Sequence, residues 1–330
     1  MDTSKLHEYL ISLKLAEYRY KQIVKNYYSG RYQSFSQMTD LPKDLRADLE
    51  QKFSLLSVSE IKLLEGSDTK KVSLKLSDGL AIESVLMDYD QWLTACVSSQ
   101  VGCPLNCAFC ATGKMGFKRD LSSEEIIDQI IYWNSKIFPK YIGRIVFMGM
   151  GEPFLNWDNL LAALKIIKED LNIGSRKISI STAGIVPRIY DFADLDTEIN
   201  LAISLHAPDQ PAREKIMPIA RQYPFEDLIK SLNYYTAHTR RQLFLEYALI
   251  KDVNDSQEHL NELIKLLKSN FLFYLNLIPL NPVKDGLIPS PNLKAFTDAL
   301  SKNHLNFSLR QTFGQSINSA CGQLITENKV

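Results

Sequence analysis

The chain has 330 residues, 45% hydrophobic and 23% charged, which suits one large domain with a smaller companion and a substantial buried core. Its 38 basic and 38 acidic residues cancel, which argues against attachment to nucleic acid by bulk charge while leaving room for a local basic patch. The charged start MDTSKLHEYLISLK lacks the apolar core of a signal peptide, and no apolar run approaches the ~18 residues needed to cross a bilayer. Five cysteines, an odd number, point to cytoplasmic metal or redox chemistry rather than a disulfide framework.

Residues 1 to about 55 read as short helices. Leu6, Tyr9, Leu10 and Leu13 share one face, and Pro42 stands near the start of the helical segment LPKDLRADLEQKF. From Lys71 the period changes: KVSLKLSDGLAIESVLM alternates apolar and polar residues around Asp78-Gly79, a hairpin signature. Residues 1–90 are therefore expected to form an accessory region, helices first and then a β-hairpin.

Beyond it, strands and helices alternate. LTACV, RIVFMGM, KISIST, NLAISLH, LFLEYALI and YLNLIPL read as strands. SSEEIIDQIIYWNSKIF, NWDNLLAALKIIKEDL, VPRIYDFADL, FEDLIKSLNYYTAH and SQEHLNELIKLLKS read as helices between them, and PNLKAFTDALSKNH follows the last strand. Six βα units in series predict an α/β fold, a parallel sheet curved into a partial (β/α)6 barrel over residues 91–306. A strand-like piece, NFSLRQTF, then opens a tail over residues 307–330 that carries Cys321.

Parallel α/β sheets collect their sites where strands end. The stretch CVSSQVGCPLNCAFC, GMGEP, STAG, SLHAP and IPLNP all fall at or after predicted strand ends. Cys103, Cys107 and Cys110 form C-x3-C-x2-C on a loop entering a helix, so three sulfurs can face one centre. Buried thiols acting as small hydrophobes are the plain reading. Structural zinc is a second reading, although it wants four closed ligands, and a further CxxC or HxxxH is missing nearby. A cubane iron–sulfur cluster normally takes four thiolates, so three would leave one iron open to a small molecule. In GMGEP, glycines 149 and 151 let backbone approach a ligand, and Glu152 can accept hydrogen bonds from an ammonium or ribose. Singly, Ser181, Ser204, His206 and Asn281 mean little; four such loops converging on one centre mean more.

CPLNCAFC resembles the radical S-adenosylmethionine (SAM) signature. With CVSSQVGC, CAFCATGKMGF, FMGMGEP, ISTAGIVP, AISLHAP, MPI, DVNDS, NLIPLNP and ACGQL in this order, the chain from about Glu83 to Leu324 resembles the RlmN/Cfr family of radical SAM RNA methyltransferases. The resemblance implies a [4Fe-4S] cluster on Cys103, Cys107 and Cys110, and SAM against Gly151, Glu152, Ser181, Ser204, Leu205, His206 and Asn281. It also implies that Cys321 carries the methyl group, that Cys96 resolves the adduct and that Glu83 accepts a proton, with Cys96 left as the rival base. Adenine C2 or C8 is electrophilic, so it cannot attack the methyl of SAM directly. In the implied mechanism Cys321 is methylated by one SAM, and a second SAM supplies a radical that takes hydrogen from the S-methyl group. The carbon radical adds to the ring, and Cys96 then attacks the Cys321 sulfur, releasing methylated RNA and leaving a disulfide. A flexible tail is expected to bring Cys321 into the barrel mouth.

The implied substrates are adenine 2503 of 23S ribosomal RNA, before full ribosome assembly, and in some members adenine 37 of tRNA. A cytoplasmic monomer served by an electron donor such as flavodoxin is expected. Lys114, Lys118, Arg119, Arg240 and Arg241 are candidate phosphate contacts, and Arg19, Tyr20, Lys21, Lys25 and Arg31 offer a second basic, aromatic surface. GMGEP and GKMGFKR resemble the C2 enzymes. Phe313 leans toward the C8 type, and Asn318 and Ser319 stand where an acidic–alanine pair is usual. Two alternatives remain at this stage: a zinc-stabilised RNA-binding protein, and a radical SAM enzyme acting on a small molecule or protein.

Overall fold

The computed structural model describes residues 1–281, 287–310, 313–314 and 317–324. Pro282 of IPLNP, and Gln311, Thr312, Gln315 and Ser316 of the tail, lie outside the described residues. Three helices come first, α1 (Thr3–Ser12), α2 (Glu17–Tyr28) and α3 (Lys43–Lys52). Leu6 and Leu10 are buried as the apolar stripe of α1 requires, and Pro42 is the N-cap of α3. An antiparallel meander follows: β1 (Val58–Glu65), β2 (Thr69–Leu76) and β3 (Ala81–Asp88), with the β2–β3 turn at Asp78-Gly79.

Next, β4 (Leu93–Cys96) pairs antiparallel with β3 on one side. A short antiparallel pair, β5 (Gln100–Gly102) and β6 (Phe117–Asp120), brackets the cysteine loop and the one-turn helix α4 (Ala111–Lys114). Gly102 has φ +75°, and a Cβ there would lie 1.8 Å from the Gly116 oxygen, so no other residue closes this bracket.

The βα series runs α5 (Ser123–Ile137), β7 (Ile142–Phe147), α6 (Trp157–Glu169), β8 (Ile178–Thr182), α7 (Val186–Ala193) and β9 (Asn200–Ser204). It continues with α8 (Gln210–Ile216), α9 (Phe225–Thr239), β10 (Leu243–Leu249), α10 (Gln257–Ser269), β11 (Phe273–Pro279), α11 (Leu293–Lys302) and β12 (Phe307–Leu309). Local chemistry sets the helix starts. A capping box of Ser122 and Glu125 opens α5, and Ser256 with His259 does the same for α10.

One ten-stranded sheet results, in the order β1-β2-β3-β4-β7-β8-β9-β10-β11-β12. From β4 to β12 every pairing is parallel. The edges β1 and β12 are not paired with each other among the described residues, which leaves an open barrel, as predicted. The hairpin continues this sheet as an antiparallel wing, because β3 joins β4. Helix α5 anchors the junction: Trp133 Nε1 donates to Ser84 Oγ at 3.0 Å, and Ser84 Oγ donates to the Cys96 carbonyl at 3.0 Å. Among the described residues no helix is long and apolar enough to cross a membrane.

Candidate active site

The carboxyl ends of the parallel strands open into one large cavity. Cys103, Cys107 and Cys110 line it from the β5–α4 loop, facing Glu152 after β7, Ser181 at the end of β8, and Ser204 and His206 after β9. Burial pushes the Cys103 thiol up to about 12 and Cys107 well above its ordinary value, and each is raised further by the Cys110 charge. One buried and two half-buried thiols whose charges oppose one another suit a cationic guest that relieves the repulsion. Among the described residues no three His, Cys, Asp or Glu side chains are gathered closely enough to hold a single metal ion. Three thiols lining one cavity still fit a cubane iron–sulfur cluster with one corner left open.

Gly149 and Gly151 of GMGEP line the cavity and also serve packing. A Cβ on Gly149 would lie 2.7 Å from the Val97 carbonyl carbon and oxygen, and one on Gly151 (φ +101°) would lie 2.7 Å from the Gln100 nitrogen. Both glycines let the loop after β7 lie against the segment after β4. Glu152 is buried with Oε1 accepting from the Phe154 N–H (3.0 Å) and Oε2 from the Ala183 N–H (2.7 Å). Burial still raises its pKa to about 7, so it has reason to welcome a cationic partner. His206 adopts φ +52°, and its Nδ1 accepts from the Ala248 N–H at 3.0 Å, which leaves the ring proton on Nε2. Burial lowers its pKa to about 3, so the ring is neutral, and its edge meets Phe109 with 4.6 Å between centroids. Asn281 Nδ2 donates to the Cys321 carbonyl at 3.2 Å. Leu205 is the exception: it is fully buried and does not line the cavity.

A smaller second cavity adjoins the first. Cys96, Val85, Tyr89 and Phe313 line it, and Cys321 lines both. The two thiols are free. Burial pushes Cys96 up to about 12, the Cys321 charge adding to the rise and Arg310 opposing it. The expected swing of the tail is unnecessary, because the tail is already docked. The Ala111 N–H donates to the Gly322 oxygen (2.7 Å) and Thr112 Oγ1 to the Leu324 oxygen (2.7 Å). Glu83 is one strand over from Cys96 and lines neither cavity; it pairs with the Lys71 ammonium at 3.0 Å and accepts from Ser73 Oγ at 3.3 Å.

Four residues carry weight that the sequence reading did not assign. Arg213 is buried on α8; its Nη2 donates to the Ala183 (2.6 Å) and Ser204 (3.4 Å) oxygens and its Nε to the Leu205 oxygen (3.3 Å), tying two cavity loops together. Asn254, fully buried, donates to the His206 and Ala248 oxygens (2.6 and 2.7 Å) and accepts from the Ile250 N–H (2.7 Å). Arg310 pairs with the buried Glu246 at 3.0 Å and lines both cavities. Glu246 left a signal, an acid inside the apolar run LFLEYALI, and Asn254 lies in the motif DVNDS. Among the proposed phosphate contacts, Arg119 is already held by Glu125 (2.8 Å) and Asp78 (2.6 Å), and Arg241 by the Glu198 oxygen (2.6 Å). Lys114 and Lys118 are exposed.

An open parallel barrel with a three-cysteine loop at its mouth defines a radical SAM enzyme, and residues 97–267 match the model of the radical SAM superfamily. Residues 1–55 match that of a "Ribosomal RNA large subunit methyltransferase N-terminal domain". A relative from Thermoanaerobacter sp. (strain X514), named "Probable dual-specificity RNA methyltransferase RlmN", is 42% identical over 98% of this chain and 96% of its own length. One of the same name from Dictyoglomus thermophilum is 44% identical over 93% of this chain and 90% of its own. The structure of a radical SAM methyltransferase from Sphaerobacter thermophilus superposes with a TM-score of 0.91 at 36% identity, covering 98% of this chain and 97% of that one. The chain belongs to the RlmN family, and its cofactors are a [4Fe-4S] cluster and SAM.

Proposed function

We propose that this protein methylates C2 of adenine in RNA, at adenine 2503 of 23S ribosomal RNA and at adenine 37 of tRNA, through a methyl group carried on Cys321. The single observation that carries the reading is that Cys321 lines both cavities, with the cysteine triad in one and Cys96 in the other. The names of the relatives, dual-specificity RNA methyltransferases, supply the substrate class.

In this reading Cys103, Cys107 and Cys110 hold the cluster, and Glu152, Ser181, Ser204, His206 and Asn281 hold SAM. The bound cluster supplies the electron that makes SAM a source of hydrogen-abstracting radical. Everything else is the work of the chain. Glu152 offers its remaining lone pairs to an ammonium; neutral His206 offers its Nε2 proton to an acceptor. The Arg310 guanidinium lines the cavity shared by Cys96 and Cys321, and its charge opposes the burial that keeps Cys96 protonated. Cys96 attacks the Cys321 sulfur, and the bond from that sulfur to the transferred carbon breaks as the disulfide forms. Residues 1–90 receive the RNA, residues 91–306 hold the cofactors, and residues 307–330 deliver the methyl group.

The test is nucleoside analysis of RNA treated with reconstituted wild type and Cys321→Ala. Wild type should give 2-methyladenosine and the variant none. Equal yields from both would sink the carrier role; 8-methyladenosine would move the reading to the C8 type. Zinc without iron or sulfide in anaerobically purified protein would favour a non-catalytic RNA-binding protein.

A further inference from the structure

The tail turn that presents Cys321 is held by the antiparallel wing. Lys71, on β2, is buried, and its Nζ makes two contacts: 3.0 Å to Glu83 Oε1 on the neighbouring strand and 3.0 Å to the main-chain oxygen of Asn318. The turn is built to offer that oxygen. Its Ile317 and Ser319 N–H groups both donate to the Gly314 oxygen (3.2 and 3.0 Å), as does Ser319 Oγ (3.2 Å). Asn318 itself is left-handed (φ +49°), a conformation that Asn tolerates better than most residues. Gly314 (φ +67°) packs so closely that a Cβ would meet Thr69 Cγ2 at 3.1 Å, which brings the turn against β2. The Asn-Ser pair that departs from the usual family pattern thus forms this turn.

We propose that Lys71 is a positioning residue: its ammonium, held by Glu83, clamps the Asn318 turn to the wing and so sets Cys321 opposite Cys96. Val85, beside Glu83 on β3, pairs with Cys96 on β4, so the clamp and Cys96 sit on adjoining strands of one sheet. Glu83 thereby acts on the tail through Lys71 as well as through any proton it takes. The inference rests on the proposed function only for the chemical role of Cys321; the placement of the tail stands apart from it.

The test uses cluster-loaded full-length protein and reads two properties of Cys321 without RNA. One is its rate of alkylation by iodoacetamide, followed on the Cys321 peptide by mass spectrometry. The other is the rate of Cys96–Cys321 disulfide formation with diamide, which takes up the two electrons and two protons released by the thiols. Lys71→Met removes one charge-assisted hydrogen bond to the tail, so disulfide formation should fall about tenfold. Alkylation of Cys321, which is already exposed, should hold steady and show that its intrinsic reactivity is unchanged. Lys71→Arg should restore the disulfide rate. Should the Met variant fail to fold, Lys71→Gln, which keeps a donor without the charge, is expected to slow disulfide formation in the same direction. An unchanged disulfide rate in a folded Lys71→Met or Lys71→Gln protein would overturn the clamp. A slowed disulfide rate in an enzyme whose wild type leaves RNA unmethylated would overturn the proposed function and leave the clamp standing.

Discussion

Asn254 offers a prediction whose size follows from the geometry. Its side chain serves three main-chain groups in a place without solvent: the oxygens of His206 and Ala248, and the N–H of Ile250. Asn254→Ala leaves all three without that partner. A buried polar group stripped of its hydrogen bond costs ~1–3 kcal/mol, so three at the lower end come to ~3 kcal/mol. For a chain of this size that is a fall of about 4 °C in Tm. The effect should reach the site as well, because the His206 oxygen belongs to a left-handed residue on the cavity wall, and SAM affinity should fall by about tenfold. Asn254→Asp separates chemistry from volume: it keeps the shape but turns two donors into acceptors facing carbonyls, so it should destabilise at least as much as Ala. Calorimetry and equilibrium dialysis with labelled SAM read both quantities. A Tm within 1 °C of wild type in both variants would refute the reasoning, since it would mean that the loop oxygens do not depend on Asn254.

Glu152 predicts a pH dependence of stability before SAM binds. Its pKa in the folded protein is raised from 4.5 to about 7, so the folded state keeps a proton that the unfolded chain has released. Stability contributed by this site therefore falls as pH rises from about 4.5 to 7 and is level above. Glu152→Gln should flatten that slope in urea melts at pH 5 and pH 8, whatever its constant cost; an equal slope in both proteins would contradict the burial argument. Gly151→Ala should cost at least ~2 kcal/mol through its positive φ and the 2.7 Å approach to Gln100, and should weaken SAM binding. A melting temperature like that of wild type would show that the two segments can separate freely.

The barrel was legible because its strands and helices are long and their periods differ cleanly, as in RIVFM against SSEEIIDQIIYW. The β2–β3 hairpin was legible from Asp78-Gly79. Strand β1 was not: Val58 is buried but the next four residues are exposed, so VSEIKLLE shows no alternation to read. The cysteine triad and the loops around it were legible as chemistry because rare residue types recur at strand ends. Arg213 was not, since a lone arginine on an amphipathic helix reads as a solvated charge and only the fold turns it inward. Glu83 and Arg119 illustrate the converse: sequence gave each a free charge, and both are spent on neighbours, Lys71 in one case and Asp78 with Glu125 in the other. The docking of the tail joins residues that lie 212 and 247 positions apart, beyond the reach of any local period.

Strand order in the sheet follows chain order throughout, so a polypeptide emerging from its N-terminus can lay each strand onto an edge already present. The tail is the exception, returning to Ala111, Thr112 and Lys71 in the first half of the sequence. Cys321 therefore meets Cys96 only after every strand of the sheet has been made. A chain halted after β12 would hold the whole sheet and the cysteine triad, while its cofactor chamber would lack the wall that Cys321, Gly322 and Leu324 supply.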